Sequence, residues 1–216
     1  MTTFYHLFLE YFLNFYRWTY SFKKAPTLWN AGLKGTFVFI PGFMDTWGPF
    51  KKLGNVLNKN GFKIIFLDNV NTFAKIETMA DQSASVLKSN SLQNFYLIGH
   101  SKGGLTTKYL LDNYPEINKK CIKAFTVSTP WNGTVFAKIK LLNFYQLVPY
   151  SKFLQQCSIT TESCKKIINI YPKFDNSVVP NNFLILEGVK NIKTKDVGHT
   201  NVLSSKELLN IILENL

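Results

Sequence analysis

From Thr36 onward the apolar positions fall into two repeating patterns. Thr36–Ile40 is a short β-branched and aromatic run that stops at Pro41-Gly42, which reads as a buried strand. Phe50–Asn60 places Leu53, Val56 and Leu57 at helical spacing and ends at Gly61, the residue type expected just past a helix C-terminus. Phe62–Leu67 is the next strand, Ile76–Lys88 a helix, Phe95–Ile98 a strand, and Gly104–Asn113 a helix ended by Pro115. Ile122–Val127 is again a strand, and Lys165–Tyr171 and Ile192–Lys195 carry fainter strand patterns. The last element, Lys206–Leu216, is an amphipathic helix with Leu208, Leu209, Ile212 and Leu213 turned inward. Short strands separated by helices of roughly 10–15 residues predict an α/β fold, with a mostly parallel central sheet and helices on both faces.

Two stretches break this alternation. The interval 129–164 is rich in apolar residues but shows no strand period, and is expected to form a small cap over the carboxyl edge of the sheet, where such sheets bind ligands. An extra pair of core helices is the other option. Before Pro26, residues 4–22 hold ten aromatic side chains, while His6, Glu10, Asn14, Arg17 and Ser21 recur at spacings that confine them to an arc of about 80°. That pattern predicts one helix with a narrow polar stripe. It either packs within the protein or between copies, or lies in a membrane interface with Lys23 and Lys24 at its exit. The chain thus divides into an aromatic segment, 1–25, and an α/β domain, 26–216. A central Glu10 and the lack of a basic leader or a small-residue cleavage site argue against a secretory signal. The expected location is therefore the cytoplasm, peripheral on the membrane if the aromatic helix binds there.

Composition narrows the function classes. At 46% hydrophobic and 18% charged residues, the 216-residue chain can build a core and is not of the disordered class. No stretch has the ~18 uncharged apolar residues of a membrane-spanning helix. Lys plus Arg number 25 against 13 acidic residues, a net charge of +12, which suits an anionic partner. The lysines are scattered pairs without a nucleic-acid motif, so an anionic membrane surface met by residues 1–24 is favoured over nucleic acid. Cys121, Cys157 and Cys164 match no zinc spacing and read as free thiols, a Cys157–Cys164 bridge being the alternative. No metal site is expected.

The chemistry concentrates where the strand Phe95–Ile98 runs into Gly99-His100-Ser101-Lys102-Gly103-Gly104 and then into a helix. This is G-x-S-x-G in strand–turn–helix context: the sharp turn leaves no room for bulk beside the serine and lifts its hydroxyl to the helix N-terminus. A serine needs a base to become a nucleophile. Of the three histidines, His6 lies in the aromatic helix, and His100 is the serine's own neighbour, wrongly directed to take its proton. His199 remains, in a loop before the last helix. For the carboxylate that orients the base, Asp175 sits in a turn after a strand at the sheet edge; Asp196 is second, its reach shortened by sharing a strand end with His199. The developing oxyanion needs backbone donors. Lys102, just after the nucleophile, and Phe43, in the loop after the first strand, are placed to provide them.

These residues resemble the α/β-hydrolases, and among them small bacterial lipases and esterases. The likeness covers about Gly35 to Leu216. It rests on Pro41-Gly42-Phe43, on Gly-His-Ser-Lys-Gly-Gly, on Ser128-Thr129-Pro130-Trp131-Asn132-Gly133, on Asp175-Asn176-Ser177-Val178-Val179-Pro180 and on Gly198-His199. The resemblance implies a Ser101–Asp175–His199 triad, an oxyanion hole from the Phe43 and Lys102 amides, and no cofactor. Pro41 stands where many members have histidine, and Lys102 where methionine is frequent; a lysine charge there would favour an anionic substrate. The expected reaction is hydrolysis of a lipid or acyl ester through an acyl-enzyme on Ser101, with Trp131, Phe136, Leu142 and Val178 along the acyl pocket. An acyltransferase or thioesterase on the same triad, or a membrane-associated binding protein without catalysis, are the rival readings.

Overall fold

The computed structural model describes residues 25–138 and 144–216, together with the single position Phe12. The expected helix over 4–22, the membrane contact assigned to residues 1–24, and Leu142 all lie outside the described residues. Six parallel strands form one sheet: β1 (Thr36–Ile40), β2 (Lys63–Phe66), β3 (Phe95–His100), β4 (Cys121–Val127), β5 (Ile167–Tyr171) and β6 (Lys190–Lys193), in the spatial order β2-β1-β3-β4-β5-β6. The helices are α1 (Trp47–Lys59), α2 (Ile76–Ser89), α3 (Lys102–Asn113), α4 (Pro115–Lys120), α5 (Lys152–Cys157) and α6 (Lys206–Glu214). Each predicted strand and helix of the α/β body is present, with ends shifted by up to three residues. The exception is α4: Pro115 does end α3, but it also opens a new helix, because a proline in the first turn lacks only an N–H that would have no partner there.

The alternation of side chains along β1 explains the two-sided core. Phe37 and Phe39 face α1 and α6, where they pack with Phe50, Leu57, Leu208 and Ile212. Val38 and Ile40 face the opposite side and meet Met79 and Ala80 of α2 and Leu110 of α3. Strands buried on both faces read as continuous apolar runs, which is why the inner strands are plain in the sequence. The outermost strand, β6, is Lys-Asn-Ile-Lys, half-exposed, with lysines guarding its free edge. Among the described residues no helix is long and apolar enough to cross a membrane.

The order of the strands sets the location of the site. The chain leaves β1 for β2 on one side, then returns across it to β3 on the other, so the carboxyl ends of β1 and β3 flank the switch point where a crevice opens. Over that edge the 129–164 interval forms short 3-10 turns at Val135–Lys138, Phe144–Leu147 and Glu162–Lys166, with α5 between the last two. Its inner side packs Ala137, Leu147 and Leu154 against Ile76 and Leu105. The floor beneath is tied by a buried lysine. Lys108 of α3 is fully buried and bonds Asp112 (2.6 Å) and Thr161 (3.2 Å), and Asp112 accepts from Thr161 (2.7 Å) and Ser163 (2.6 Å). All three cysteines are free and buried, and burial pushes the Cys121 and Cys157 thiols up to about 12.

Candidate active site

Ser101 follows β3 and caps α3 with φ 53° and ψ −123°, a region that a residue with a side chain rarely occupies. The neighbouring glycines make the turn possible. A Cβ on Gly99 would lie 2.4 Å from the Thr107 hydroxyl, and one on Gly103 would lie 2.2 Å from the Ile40 carbonyl. The helix therefore starts flush against β1, and the serine is held at the rim of the crevice. The Ser101 N–H extends the sheet by donating to Val127 (2.8 Å). The N–H groups of Phe43 and Lys102 donate to no acceptor among the described residues. The first is in the loop after β1 and the second is the leading amide of α3.

Asp175 and His199 are brought together by an extension of the sheet beyond the ends of β5 and β6. Phe174 pairs with Val197 in a parallel bridge, and Gly198 N–H donates to the Phe174 carbonyl (2.8 Å). This pairing places the next residues side by side. His199 Nδ1 lies 2.8 Å from Asp175 Oδ2 and 3.0 Å from Oδ1. The carboxylate is fully buried, and its Oδ1 also accepts the N–H groups of Ser177 and Val178, both at 2.8 Å. Burial alone would push the Asp175 carboxyl up; the His199 charge and hydrogen bond, with those two amides, outweigh it and hold the acid below the usual carboxylate range. It is an ionised acceptor that orients the ring. Asp196, the second candidate, is turned elsewhere. Burial raises its carboxyl, whose Oδ2 is buried with no hydrogen-bond partner among the described residues, while its N–H donates to the Thr194 hydroxyl (3.3 Å).

Three further described contacts hold His199 through its backbone. The His199 N–H donates to Asn176 Oδ1 (2.9 Å), and its carbonyl accepts from the Ser128 hydroxyl (2.9 Å) and from His100 Nε2 (3.2 Å). None of these partners stands out in the sequence as chemistry, because each acts on main chain. His100 is directed away from the serine's proton, toward Asp45 and the His199 carbonyl.

Ser101, His199 and Phe43 line one cavity of about 540 Å³. Phe136, Phe144, Leu147 and Val178 make most of its apolar wall. Phe136 and Val178, named in the sequence analysis, are both on this lining. Trp131 is not: it is fully buried, its indole N–H bonds Asn169 (3.0 Å), and it packs with Ile76, Leu105 and Leu154 beneath the cap. The expectation that it lines the pocket is corrected. An aromatic residue in an apolar segment can turn to the core as readily as to a cavity, and here a buried amide claims its N–H. The Lys102 side chain departs from expectation too. It is buried, with its ammonium on the Thr72 (3.1 Å) and Ala74 carbonyls rather than along the cavity, so it offers no cation to a substrate there. Burial pulls this lysine down to about 8, against an opposing pull from Glu77. Among the described residues no cluster of His, Cys, Asp or Glu is able to hold a metal ion.

Comparison with known proteins bears on the whole arrangement. A triacylglycerol lipase from Pseudarthrobacter phenanthrenivorans is 28% identical over 126 residues, which is 55% of this chain and 37% of that protein, so the chain spans little more than a third of this relative. Among solved structures, Aspergillus fumigatus lipase B superposes with a TM-score of 0.62 at 18% identity, over 76% of this chain and 46% of that one. The mature form of a Bacillus licheniformis lipase gives 0.65 at 13% identity, over 89% and 94% of the two chains. At such identities these structures speak for the fold alone. The model of the α/β-hydrolase fold family matches residues 35–155. Because that match accounts for more than half of the sequence, from the first strand into the cap, the chain belongs to the α/β-hydrolase fold family.

Proposed function

We propose that the protein is a serine hydrolase that cleaves carboxylic esters of apolar acyl groups. The observation that carries this reading is the ionised, fully buried Asp175 on His199 Nδ1, with His199 and Ser101 on the wall of one apolar cavity. In the reading, His199 takes the Ser101 proton as the hydroxyl attacks the ester carbonyl, and Asp175 stabilises the imidazolium that results. The Phe43 and Lys102 amides receive the oxyanion. The imidazolium then protonates the departing alkoxide, leaving an acyl-Ser101. Water, deprotonated by the same imidazole, releases the carboxylic acid and restores the serine.

The cavity also supports a substrate class. His199 is the sole ionisable side chain on its described lining, so a neutral ester is favoured over a charged one. At roughly 30 Å³ per group the size of a water, 540 Å³ holds a medium-length acyl chain and the ester. The triacylglycerol lipase relative is consistent with such a substrate.

The test is labelling with a fluorophosphonate, followed by hydrolysis of p-nitrophenyl esters of increasing chain length. Labelling is expected at Ser101 and absent in Ser101→Ala. Each added methylene that is fully buried contributes about 0.8 kcal/mol, so kcat/KM should climb by up to ~4-fold per carbon and then level off at about six to twelve carbons. Folded protein that takes no label, or that prefers the acetate, would reject the reading.

A further inference from the structure

His100 has both ring nitrogens engaged, and it touches the two loops between which the reaction would run. Its imidazole is 1% exposed. Nδ1 lies 2.6 Å from Asp45 Oδ2, and Nε2 lies 3.2 Å from the His199 carbonyl oxygen. The two oxygens are acceptors, one of a carboxylate and one of a peptide, so each ring nitrogen faces an oxygen partner and the ring is held from both sides. The same Asp45 Oδ2 accepts the N–H of Gly42 at 2.8 Å, which pins the turn that presents the Phe43 amide. The Asp45 N–H returns to the Gly42 carbonyl at 3.3 Å and closes that turn. One hydrogen-bonded pair therefore spans from the loop after β1 to the backbone of His199, through the residue next to Ser101.

We propose that His100, with Asp45, is a positioning pair for the hydrolase reaction, setting the distance between the oxyanion loop and the base rather than moving a proton. The proposal rests on the function given above. A loop held only by packing could drift by the fraction of an ångström that costs an oxyanion contact much of its strength, whereas a charge-assisted bridge resists that drift. Ser128 shares the load at one end, since its hydroxyl donates to the same His199 carbonyl at 2.9 Å. Among the described residues that carbonyl receives donors from the last residue of β3 and from the residue after β4, and the pair's influence on His199 should be largest when the Ser128 donor is gone.

Asp45→Asn is nearly isosteric and leaves an acceptor for Gly42, but it removes the carboxylate charge that His100 Nδ1 faces at 2.6 Å. Steady-state kinetics on the p-nitrophenyl ester that the unaltered protein hydrolyses best should show kcat falling ~10- to 30-fold with KM within twofold, since ground-state contacts in the cavity are untouched. Ser128→Ala should lower kcat two- to fivefold in the same manner. In the double variant, kcat should fall by clearly more than the product of the two single losses, because both substitutions loosen the same anchor, the His199 carbonyl. Should Asp45→Asn fold poorly by thermal melting, Ser128→Ala and His100→Gln, which keep the Asp45 carboxylate, carry the same comparison. A loss confined to KM, a strictly multiplicative double variant, or an unchanged kcat would each overturn the positioning role. Unaltered protein that neither takes the fluorophosphonate nor hydrolyses any ester would instead remove the hydrolase reading on which the role depends, and the two failures are told apart by that first measurement.

Discussion

Asp175 with His199, and Asp45 with His100, are both carboxylate–imidazole pairs, joined at 2.8 and 2.6 Å, with the two rings 4.9 Å apart between centroids. Their burial is reversed. In the first pair the carboxylate is fully buried and the imidazole is 12% exposed; in the second the imidazole is 1% exposed and the carboxylate 12%. A buried acid with an accessible ring leaves the ring beside the cavity, where it can exchange a proton with a substrate. A buried ring with both nitrogens on oxygens has nowhere to pass one. Residue type and pairing distance are nearly the same, so in the proposed mechanism it is the direction of burial that separates the base from the clamp.

The sharpest way to break this comparison is to neutralise each carboxylate. Asp175→Asn keeps the shape of the side chain but turns an acceptor for the His199 Nδ1 proton into a group that can present an N–H, favouring the wrong tautomer. It should lower kcat by ~10³- to 10⁴-fold. The corresponding Asp45→Asn loss is expected to be smaller by about two orders of magnitude. Equal losses from the two substitutions, measured under single-turnover conditions, would mean that both pairs take part in proton transfer and that the difference in burial has been misread.

The same flank that holds Asp45 and His100 also holds Lys102, and it offers a pH-dependent contrast. Its ammonium caps two carbonyls of the loop before α2, but burial pulls it from the ordinary 10.5 to about 8. A lysine whose pKa is lower in the folded state binds fewer protons there than in the unfolded chain between those two values. Stability contributed through it must therefore rise as the pH climbs from about 8 to 10.5. Lys102→Met removes that slope. The difference in unfolding free energy between the unaltered protein and the variant should shift in favour of the unaltered protein by at most about 3 kcal/mol over this window, and be flat below pH 7. A difference independent of pH, by chemical denaturation, would show that the ammonium is well solvated.

How much of this was open to a reader of the sequence follows from what each residue acts upon. The elbow at 99–104 is legible because close backbone approach demands glycine on both sides of Ser101 and leaves a fixed spacing. His199 is legible by exclusion, with so few histidines in the chain, and Asp175 by its place after a strand. Asp45, Asn176 and Ser128 were not, because they hold main-chain atoms, and any turn rich in Asp, Asn or Ser looks alike. The edge strand β6 was placed two residues late because a single isoleucine between lysines carries no period. The start of α4 at Pro115 is hidden because a proline after a helical run reads first as that helix's end. The cap was legible as an interval without strands, but not as to which of its aromatic residues face the cavity. That choice is made by partners distant in sequence.

Trp131 and Phe136 sharpen that last point, since both belong to the apolar stretch after β4 and only one lines the cavity. Trp131→Phe removes an indole N–H from Asn169 Oδ1, which still receives the Thr126 hydroxyl at 3.0 Å, so no buried acceptor is stranded. The cost should be about 1–2 kcal/mol of stability for the lost hydrogen bond and volume, with kcat/KM changed by less than twofold for every ester. Phe136 is 53% exposed, and Phe136→Ala should leave the melting temperature nearly unchanged while raising KM most for the longest acyl chains, by a few-fold, as apolar contact is lost from the wall. If instead Trp131→Phe shifts the preferred chain length and Phe136→Ala does not, the assignment of core and cavity across this short segment is reversed. Then the acyl group binds deeper under the cap than the cavity described here.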